Sequence, residues 1–331
     1  MLEIIIFVIV LAILFDISNG WNDSANAIAT VVSTRVLTPI QAVILAATAN
    51  IAGAFISTAV AKTIGKSIVD PSIINAHPGV VASALIAGFL WNGVMTLFGL
   101  PVSASHALIG GVMGAAIAFK GVGILNLAGL TKIFAALLTS PVIGILFGFL
   151  LMKLILKFFA NVSPSSVNKY FGRLQLISSG FMALSHGSND AQKAMGVITL
   201  ALLSGGYLQT LDVPFWVILA CGLAMGLGTA LGGWRVIKTL GHQMLKLQPV
   251  HGFAAETAAT VVILGASSLG LPVSTTHVIT TSIMGVGATK RLSAVRWGVA
   301  GKIMMAWIIT LPVCIALAWV SYKVLAAFGI Q

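Results

Sequence analysis

The sequence predicts an all-α protein that crosses a membrane many times, and three observations carry that prediction. Of its 331 residues, 58% are apolar and 8% are charged, whereas roughly a quarter are charged in soluble domains. The mean hydropathy is +1.07. The apolar runs are continuous rather than alternating, which is typical of membrane helices and not of a barrel. A soluble enzyme, a disordered chain and a DNA-binding domain are therefore excluded, although the pI is near 10.

Apolar runs long enough to cross a bilayer, about 20 residues each, follow one another along the chain. Six such runs cover residues 40–60, 79–99, 133–156, 213–233, 252–270 and 298–327. Two shorter runs, 102–119 and 273–289, begin directly after Pro101 and Pro272. Runs 2–15 and 174–184 meet the polar stretches SNGWNDSAN and SHGSNDAQK before apolar character resumes. We expect broken or re-entrant helices at these places and about 10–12 transmembrane segments in all.

The chain carries an internal duplication. Residues 20–23 (GWND) match residues 187–190 (GSND), at an offset of 167. Residues 100–106 (LPVSASH) match residues 271–277 (LPVSTTH), at an offset of 171. Two motifs in the same order at nearly the same offset predict two five-element halves, 1–160 and 173–331, joined by a polar cytoplasmic linker over 161–172. An odd number of elements per half predicts an inverted-topology repeat, as in many secondary transporters.

The basic residues indicate how the chain sits in the membrane. The net charge is +11, from 18 Lys and Arg against 7 Asp and Glu. If the N-terminus is outside, twelve of the 18 fall in segments on the cytoplasmic side, and cytoplasmic loops of membrane proteins carry such an excess. We therefore predict a multi-pass protein of the plasma membrane with both termini outside.

The repeated Asn-Asp pairs are the first candidate site. Asn22 with Asp23, and Asn189 with Asp190, stand beside glycines at membrane depth, where charged groups are expensive and usually functional. Gly and Asn tolerate unwinding, and a carboxylate beside free backbone carbonyls suits a hard cation such as Na⁺, or a proton. Each pair could instead be a helix cap at the membrane interface.

The two Pro-Val-Ser motifs predict an anion site. Proline suits the first turn of a helix, and the free amides and dipole of a helix N-terminus favour an anion. Two such helix ends from opposed halves could meet on one tetrahedral oxyanion. The candidate ligands are the hydroxyls of Ser103, Ser105, Ser274, Thr275 and Thr276. A plain Ser or Thr cap on a hairpin turn is the alternative.

Six further polar residues lie at membrane depth. Glu256, whose counterpart is Leu85, is a cation or proton-relay candidate, or is simply paired to a neighbour such as Lys193. Lys193 could instead contact the anion, and its counterpart is Asn26. Asn50 is a candidate for lining the path or joining helices. His106 and His277 could bind the anion, carry a proton or hold the turn. The sequence holds no nucleotide, cofactor or metal-cluster motif.

These motifs resemble those of the inorganic phosphate transporter (PiT) family. The similar elements are Gly-x-Asn-Asp-x-x-Asn-Ala at 20–27, Gly-x-Asn-Asp-x-x-Lys-Ala at 187–194, Leu-Pro-Val-Ser at 100–103 and 271–274, and Ala-Glu-Thr-Ala at 255–258. The likeness covers nearly the whole chain. It departs at Ala104, where a hydroxyl or glycine is common, and at Asn50, where many animal members carry glutamate.

The resemblance implies a symporter that imports inorganic phosphate with Na⁺ or H⁺ by alternating access. It also implies a homodimer, and no enzyme. By this likeness Asn22, Asp23, Asn189 and Asp190 bind the coupling cation, and the five hydroxyls hold the phosphate. Na⁺ at Asp23 and Asp190 is the one metal that it implies. A sulfate symporter of the same family and an oxyanion channel remain alternatives. The expected partners are the anion and the lipid bilayer, and no nucleic acid.

Overall fold

The computed structural model describes residues 2–67 and 77–330, and within these ranges it is built of helices without a β-strand. The first part comprises α1 Leu2–Ser33, α2 Pro39–Ala54, α3 Ala59–Ser67, α4 Pro78–Phe98, α5 Ala104–Lys120 and α6 Leu127–Phe158. The second comprises α7 Pro164–Ser204, α8 Phe215–Leu231, α9 Trp234–Lys238, α10 Pro249–Ser268, α11 Thr275–Lys290 and α12 Trp297–Ala327. The all-α prediction is confirmed.

Several helices have the length and composition of membrane spans. Five of the described helices, namely α1, α4, α6, α10 and α12, are long and apolar enough to cross. A sixth span is obtained if α8 and the segment Trp234–Gln243, which bend by 65° at a short break, are taken together. The chain is therefore a polytopic membrane protein, as predicted. The total of 10–12 segments stays a prediction.

The order of elements repeats in the two parts of the chain. Helices α4 and α10 both begin with proline, and both lead through a Gly-Leu-Pro-Val-Ser turn into a shorter helix. Gly99 and Gly270 adopt the same left-handed conformation there, with φ of 71° and 68°, which L residues with a side chain rarely adopt. A 3₁₀ turn and a long helix that contains Pro141 or Pro312 follow in each part. Inversion of the second half stays a prediction.

Glycines let the short helix of each part pack closely against the long helix of the other part. A Cβ on Gly114 of α5 would collide with the carbonyl of Ile315 in α12, and one on Gly285 of α11 with the carbonyl of Ile145 in α6. Close approach of helix backbones at small residues is typical of membrane interiors. Each short helix therefore packs on the long helix of the other half. The predicted linker 161–172 is mostly the start of α7, which Ser163 caps.

The expected helix breaks at the Asn-Asp pairs are wrong. Helices α1 and α7 run without interruption through both polar stretches. The glycines serve packing instead, since a Cβ on Gly20 would meet the carbonyl of Met225, and one on Gly187 the carbonyl of Asn50. An intact helix satisfies its own backbone groups in the membrane interior, whereas unwound backbone would need other partners there.

Candidate functional site

The two aspartates of the duplicated motif lie together in the interior. Asp23 of α1 and Asp190 of α7 are buried, and His186 lies one turn before Asp190 on the same face of α7. Nε2 of His186 is 3.7 Å from Oδ2 of Asp23 and 3.6 Å from Oδ2 of Asp190. One ligand atom from each of the three residues lies within 4.8 Å of the others. We call these three residues the central triad.

The tautomer of His186 follows from its other contact. Nδ1 of His186 is 3.0 Å from Oδ1 of Asn50, which is an acceptor only, so Nδ1 donates. Nε2 then presents to the carboxylates either a lone pair or a second proton. Three acceptor atoms converging in a buried space require a cation, which can be a proton or a metal ion. Asn50 is held in turn by its amide, which donates to Thr229 at 2.8 Å.

Asp23 is bound by neutral groups of the second half. The hydroxyl of Thr276 donates to Oδ1 of Asp23 at 2.7 Å. The same hydroxyl lies 3.0 Å from the carbonyl of Val102 and accepts from the amide of Asn26 at 3.0 Å. Thr276 therefore joins the first aspartate to both Pro-Val-Ser turns.

Asp190 has a different set of neighbours. Thr275 donates to its Oδ2 at 3.2 Å, and the amide of Asn19 approaches the same oxygen at 3.5 Å. Nζ of Lys193 lies 2.8 Å from Oδ1. Lys193 is therefore the partner of Asp190 and not of Glu256, so that pairing, which the sequence left open, is wrong.

The two Pro-Val-Ser turns contact each other at the starts of α5 and α11. Ser103 and Ser274 cap these helices, each accepting from the backbone amide three residues on, at 3.2 Å. Ser105 donates to the carbonyl of Val273 at 2.8 Å, which mirrors the bond from Thr276 to Val102. The cap interpretation holds for the two serines, and the two helix N-termini lie side by side next to the central triad. Paired N-termini favour an anion.

Asn22 and Asn189 each contact one of the two helical hairpins, which are α4 with α5 and α10 with α11. The Asn22 amide donates to Thr96 at 2.8 Å, and its oxygen accepts from the amide of Val102 at 3.1 Å. Asn189 donates to Ser267, the counterpart of Thr96, at 2.8 Å. Both asparagines thus hold a hairpin against the helix that carries the neighbouring aspartate.

Glu256 forms a separate cluster on the other side of Thr30. Its carboxylate accepts from Thr30 at 2.6 Å and Gln175 at 2.9 Å, and forms a short hydrogen bond with Ser178. Thr30 lies seven residues beyond Asp23, which is about 10 Å along α1. Glu256 therefore does not contact the central triad directly.

The histidines that close the Pro-Val-Ser motifs lie against each other. The rings of His106 and His277 are 4.8 Å apart, and His277 stacks on Trp307 at 3.9 Å. Both line an apolar cavity of about 550 Å³ between α6 and α12. Within the described part of the chain, Nδ1 of His106 and Nε2 of His277 have no hydrogen-bond partner.

Sequence reasoning missed two residues of this region. His186 stands in the polar stretch of the second half, and its spacing of four from Asp190 in a helix places both residues on one face. Asp16 is fully buried, and among the described residues neither of its carboxylate oxygens has a hydrogen-bond partner. Asp16, Asn19 and Asp23 share one face of α1 through spacings of three and four residues, and this pattern in the sequence could have identified Asp16.

The chain is similar to known proteins over nearly its whole length. The profile of the phosphate transporter family matches residues 19–318. A probable low-affinity inorganic phosphate transporter of Bacillus subtilis is 45% identical over 98% of both chains. A protein of the same description from Rhizobium meliloti is 46% identical over 96% of both. The solved structure of a sodium-dependent phosphate transporter superposes with a TM-score of 0.90 at 27% identity, covering 98% of this chain and 99% of that one.

The fold and the buried polar site define a membrane transport protein and not an enzyme. The match over nearly the whole chain, with relatives of this identity and coverage, also shows the family. The chain belongs to the phosphate transporter family.

Proposed function

We propose that this protein is a symporter that imports inorganic phosphate together with Na⁺ or H⁺ by alternating access. The observation that carries the proposal is the convergence of three acceptors, on Asp23, His186 and Asp190, beside the paired N-termini of α5 and α11. The first group needs a cation and the second favours an anion. A cation at the triad would offset the cost of bringing the anion into the membrane interior.

The contacts support a role for each of these groups. Asp23 and Asp190 would bind the coupling cation, with carboxylate oxygens that suit Na⁺ and an imidazole that suits a proton. Ser103, Ser105, Ser274, Thr275 and Thr276 would bind the anion, together with the free amides of the two helix starts. Asn22 and Asn189 would couple cation binding to anion binding, because each holds a helical hairpin to a helix that bears an aspartate.

Phosphate is preferred over sulfate for a chemical reason. At neutral pH phosphate keeps a proton that it can donate, and sulfate has none. Carboxylates beside the anion site can accept that proton, whereas they would repel a fully deprotonated sulfate. The relatives described as phosphate transporters support the same choice.

Uptake of labelled phosphate into proteoliposomes tests the proposal. A Na⁺ gradient and a proton gradient are imposed separately, with excess unlabelled sulfate as competitor. We expect concentrative uptake under one of the gradients and little effect of sulfate. Inhibition by sulfate would indicate the sulfate symporter instead. Uptake that no cation gradient can concentrate would indicate an oxyanion channel.

We also propose that the transporter is a homodimer in the plasma membrane, with both termini outside and with halves 1–160 and 173–331 in opposite orientations. The distribution of Lys and Arg supports the orientation. Impermeant thiol labelling of a cysteine introduced at Ile330, compared with one at Ser165 in the predicted linker, tests it in intact cells.

A further inference from the structure

Lys193 is a cation built into the interior of the protein. Its side chain is 1% exposed, and it lies three residues beyond Asp190 on α7, with its ammonium 2.8 Å from Oδ1. Burying a charged ammonium without a partner costs several kcal/mol, and so does burying an ionised carboxylate. The two therefore form a neutral pair on one side of the central triad.

The equivalent positions of the first half, Asp23 and Asn26, form no such pair. The counterpart of Lys193 at the offset of 167 is Asn26, which is neutral and donates to Thr276. In the described part of the chain, Asp23 has no lysine or arginine within salt-bridge distance, and its neighbours are the Thr276 hydroxyl and the His186 ring. The duplicated motif thus supplies two carboxylates but one fixed positive charge.

The other ionisable groups of this region do not change that difference. His186 lies at nearly equal distances from the two aspartates, so it does not favour either. Asp16 is the remaining carboxylate on the same face of α1, and it carries no fixed positive partner among the described residues. Among the described residues, Lys193 is therefore the one lysine or arginine within salt-bridge distance of either aspartate, and it lies beside Asp190.

We infer that Lys193 neutralises Asp190 in place of a second coupling cation, so that, of the two aspartates that face the cation, Asp23 is the one whose charge the coupling cation balances. This inference rests on the proposed symport. A chain with asparagine at position 193, as at Asn26, would leave both carboxylates in need of a mobile cation. It would then bind one more cation with each phosphate.

The test compares Lys193→Asn with the wild-type chain. Phosphate binding to the purified full-length protein is titrated against Na⁺ at fixed pH, and against pH at fixed Na⁺. The ratio of labelled Na⁺ or of protons to labelled phosphate is measured in proteoliposomes. We expect the log–log slope of phosphate affinity against the coupling cation to rise by about one in the variant, because one more cation is linked to binding.

Two further variants serve as controls. Lys169→Asn removes an exposed lysine from the same helix and should leave the slope and the uptake unchanged. Lys193→Arg keeps the fixed charge and should keep the wild-type slope, with slower uptake because of its larger head group. If Lys193→Asn does not insert, Asp190→Asn/Lys193→Asn removes both charges of the pair, and it should retain the wild-type slope.

The outcomes separate the inference from the proposed function. An unchanged slope in Lys193→Asn overturns the inference, and so does a raised slope in the double variant. Weaker phosphate binding at an unchanged slope would make Lys193 an anion ligand, which also overturns it. Failure of the wild-type protein to concentrate phosphate under either gradient would remove the proposed symport itself.

Discussion

The Pro-Val-Ser turns and the Asn-Asp pairs come from the same duplication, yet only the turns remain near-copies of each other. In the turns, both serine caps and both crossed hydroxyl–carbonyl bonds recur at equivalent positions. Around the aspartates, Asn19 corresponds to His186, Asn26 to Lys193, and Ala104 to Thr275. The part of the site that suits an anion is thus nearly symmetric, while the part that suits a cation has diverged.

This difference indicates how one duplicated scaffold can bind an anion with equivalent groups and a cation with unequal ones. A tetrahedral anion can be approached equivalently from two sides, so there is little reason for its two helix ends to differ. A coupling cation has to bind and leave at a defined place, which favours unequal neighbours around two equal carboxylates. The aspartate variants test this directly.

Asp23→Asn should have the largest effect. We expect coupled phosphate uptake to fall by about 100-fold or more, because the amide cannot neutralise a bound cation and can still accept from Thr276. Proteoliposome uptake, normalised to monodisperse inserted protein, checks this. Asp190→Asn is the comparison, and it should impair insertion as well, since it leaves Lys193 buried without its partner. Wild-type uptake in a well-inserted Asp23→Asn protein would contradict the assignment.

Gly187→Ala should have the next largest effect, on stability. The added Cβ would collide with the backbone carbonyl of Asn50 and push α2 away from α7. Overpacking of this kind costs about 1–3 kcal/mol, and we expect a lower unfolding temperature in detergent. Gly265→Ala is the matched control, since nothing lies within 4 Å of its Cβ. Equal stability of the two variants would mean that the glycine is not required for the close helix contact.

Thr276→Val and Ser105→Ala compare the two crossed hydroxyl bonds. Ser105 donates to a neutral carbonyl, whereas Thr276 also binds the Asp23 carboxylate. Hydrogen bonds to charged groups contribute about 1.5–3 kcal/mol and neutral ones about 0.5–1.5 kcal/mol. We therefore expect phosphate affinity to weaken by about 10-fold in Thr276→Val and by a few-fold in Ser105→Ala. Equal losses, measured by direct binding, would show that the symmetry extends to the aspartates.

Glu256→Gln should have the smallest effect on binding. Its three donors, Thr30, Gln175 and Ser178, form a cluster that is separate from the central triad. We expect the phosphate Kd to stay within about three-fold of the wild-type value. The uptake rate should decrease moderately, because the amide offers one acceptor oxygen fewer than the carboxylate and one of the donors must reorient. Equilibrium binding and initial uptake rates distinguish the two quantities. A large loss of affinity would place Glu256 in the binding site after all.

Much of the architecture could be predicted from single residues. The prolines and serines at 101–103 and 272–274 predicted helix starts, since Pro fixes the first turn and Ser caps it. The offset of 171 predicted that the two starts are equivalent, and the structure brings them into contact. Composition alone was sufficient for the membrane class.

What failed were inferences that depend on partners distant in the chain. A Gly-x-Asn-Asp sequence permits unwinding, but whether it unwinds depends on what faces it, and Gly20 and Gly187 each face another backbone. His186 gained significance only because α1 brings Asp23 to the same ring nitrogen that faces Asp190. The partners of Glu256 lie on α1 and α7, at sequence separations of 226, 81 and 78 residues.

The exchange of packing partners between the halves has a consequence for biosynthesis. The glycine face of α6 is covered by α11, and the hydroxyl that bonds to the carbonyl of Gly144 belongs to Ser282, 138 residues later. At about 5–20 residues per second, roughly 7–28 seconds of translation separate the two. During that interval the first half stands in the bilayer with lipid, or an insertion factor, against a surface that only the second half can fill. Premature termination between α6 and α11 should therefore yield a product that quality-control proteases remove.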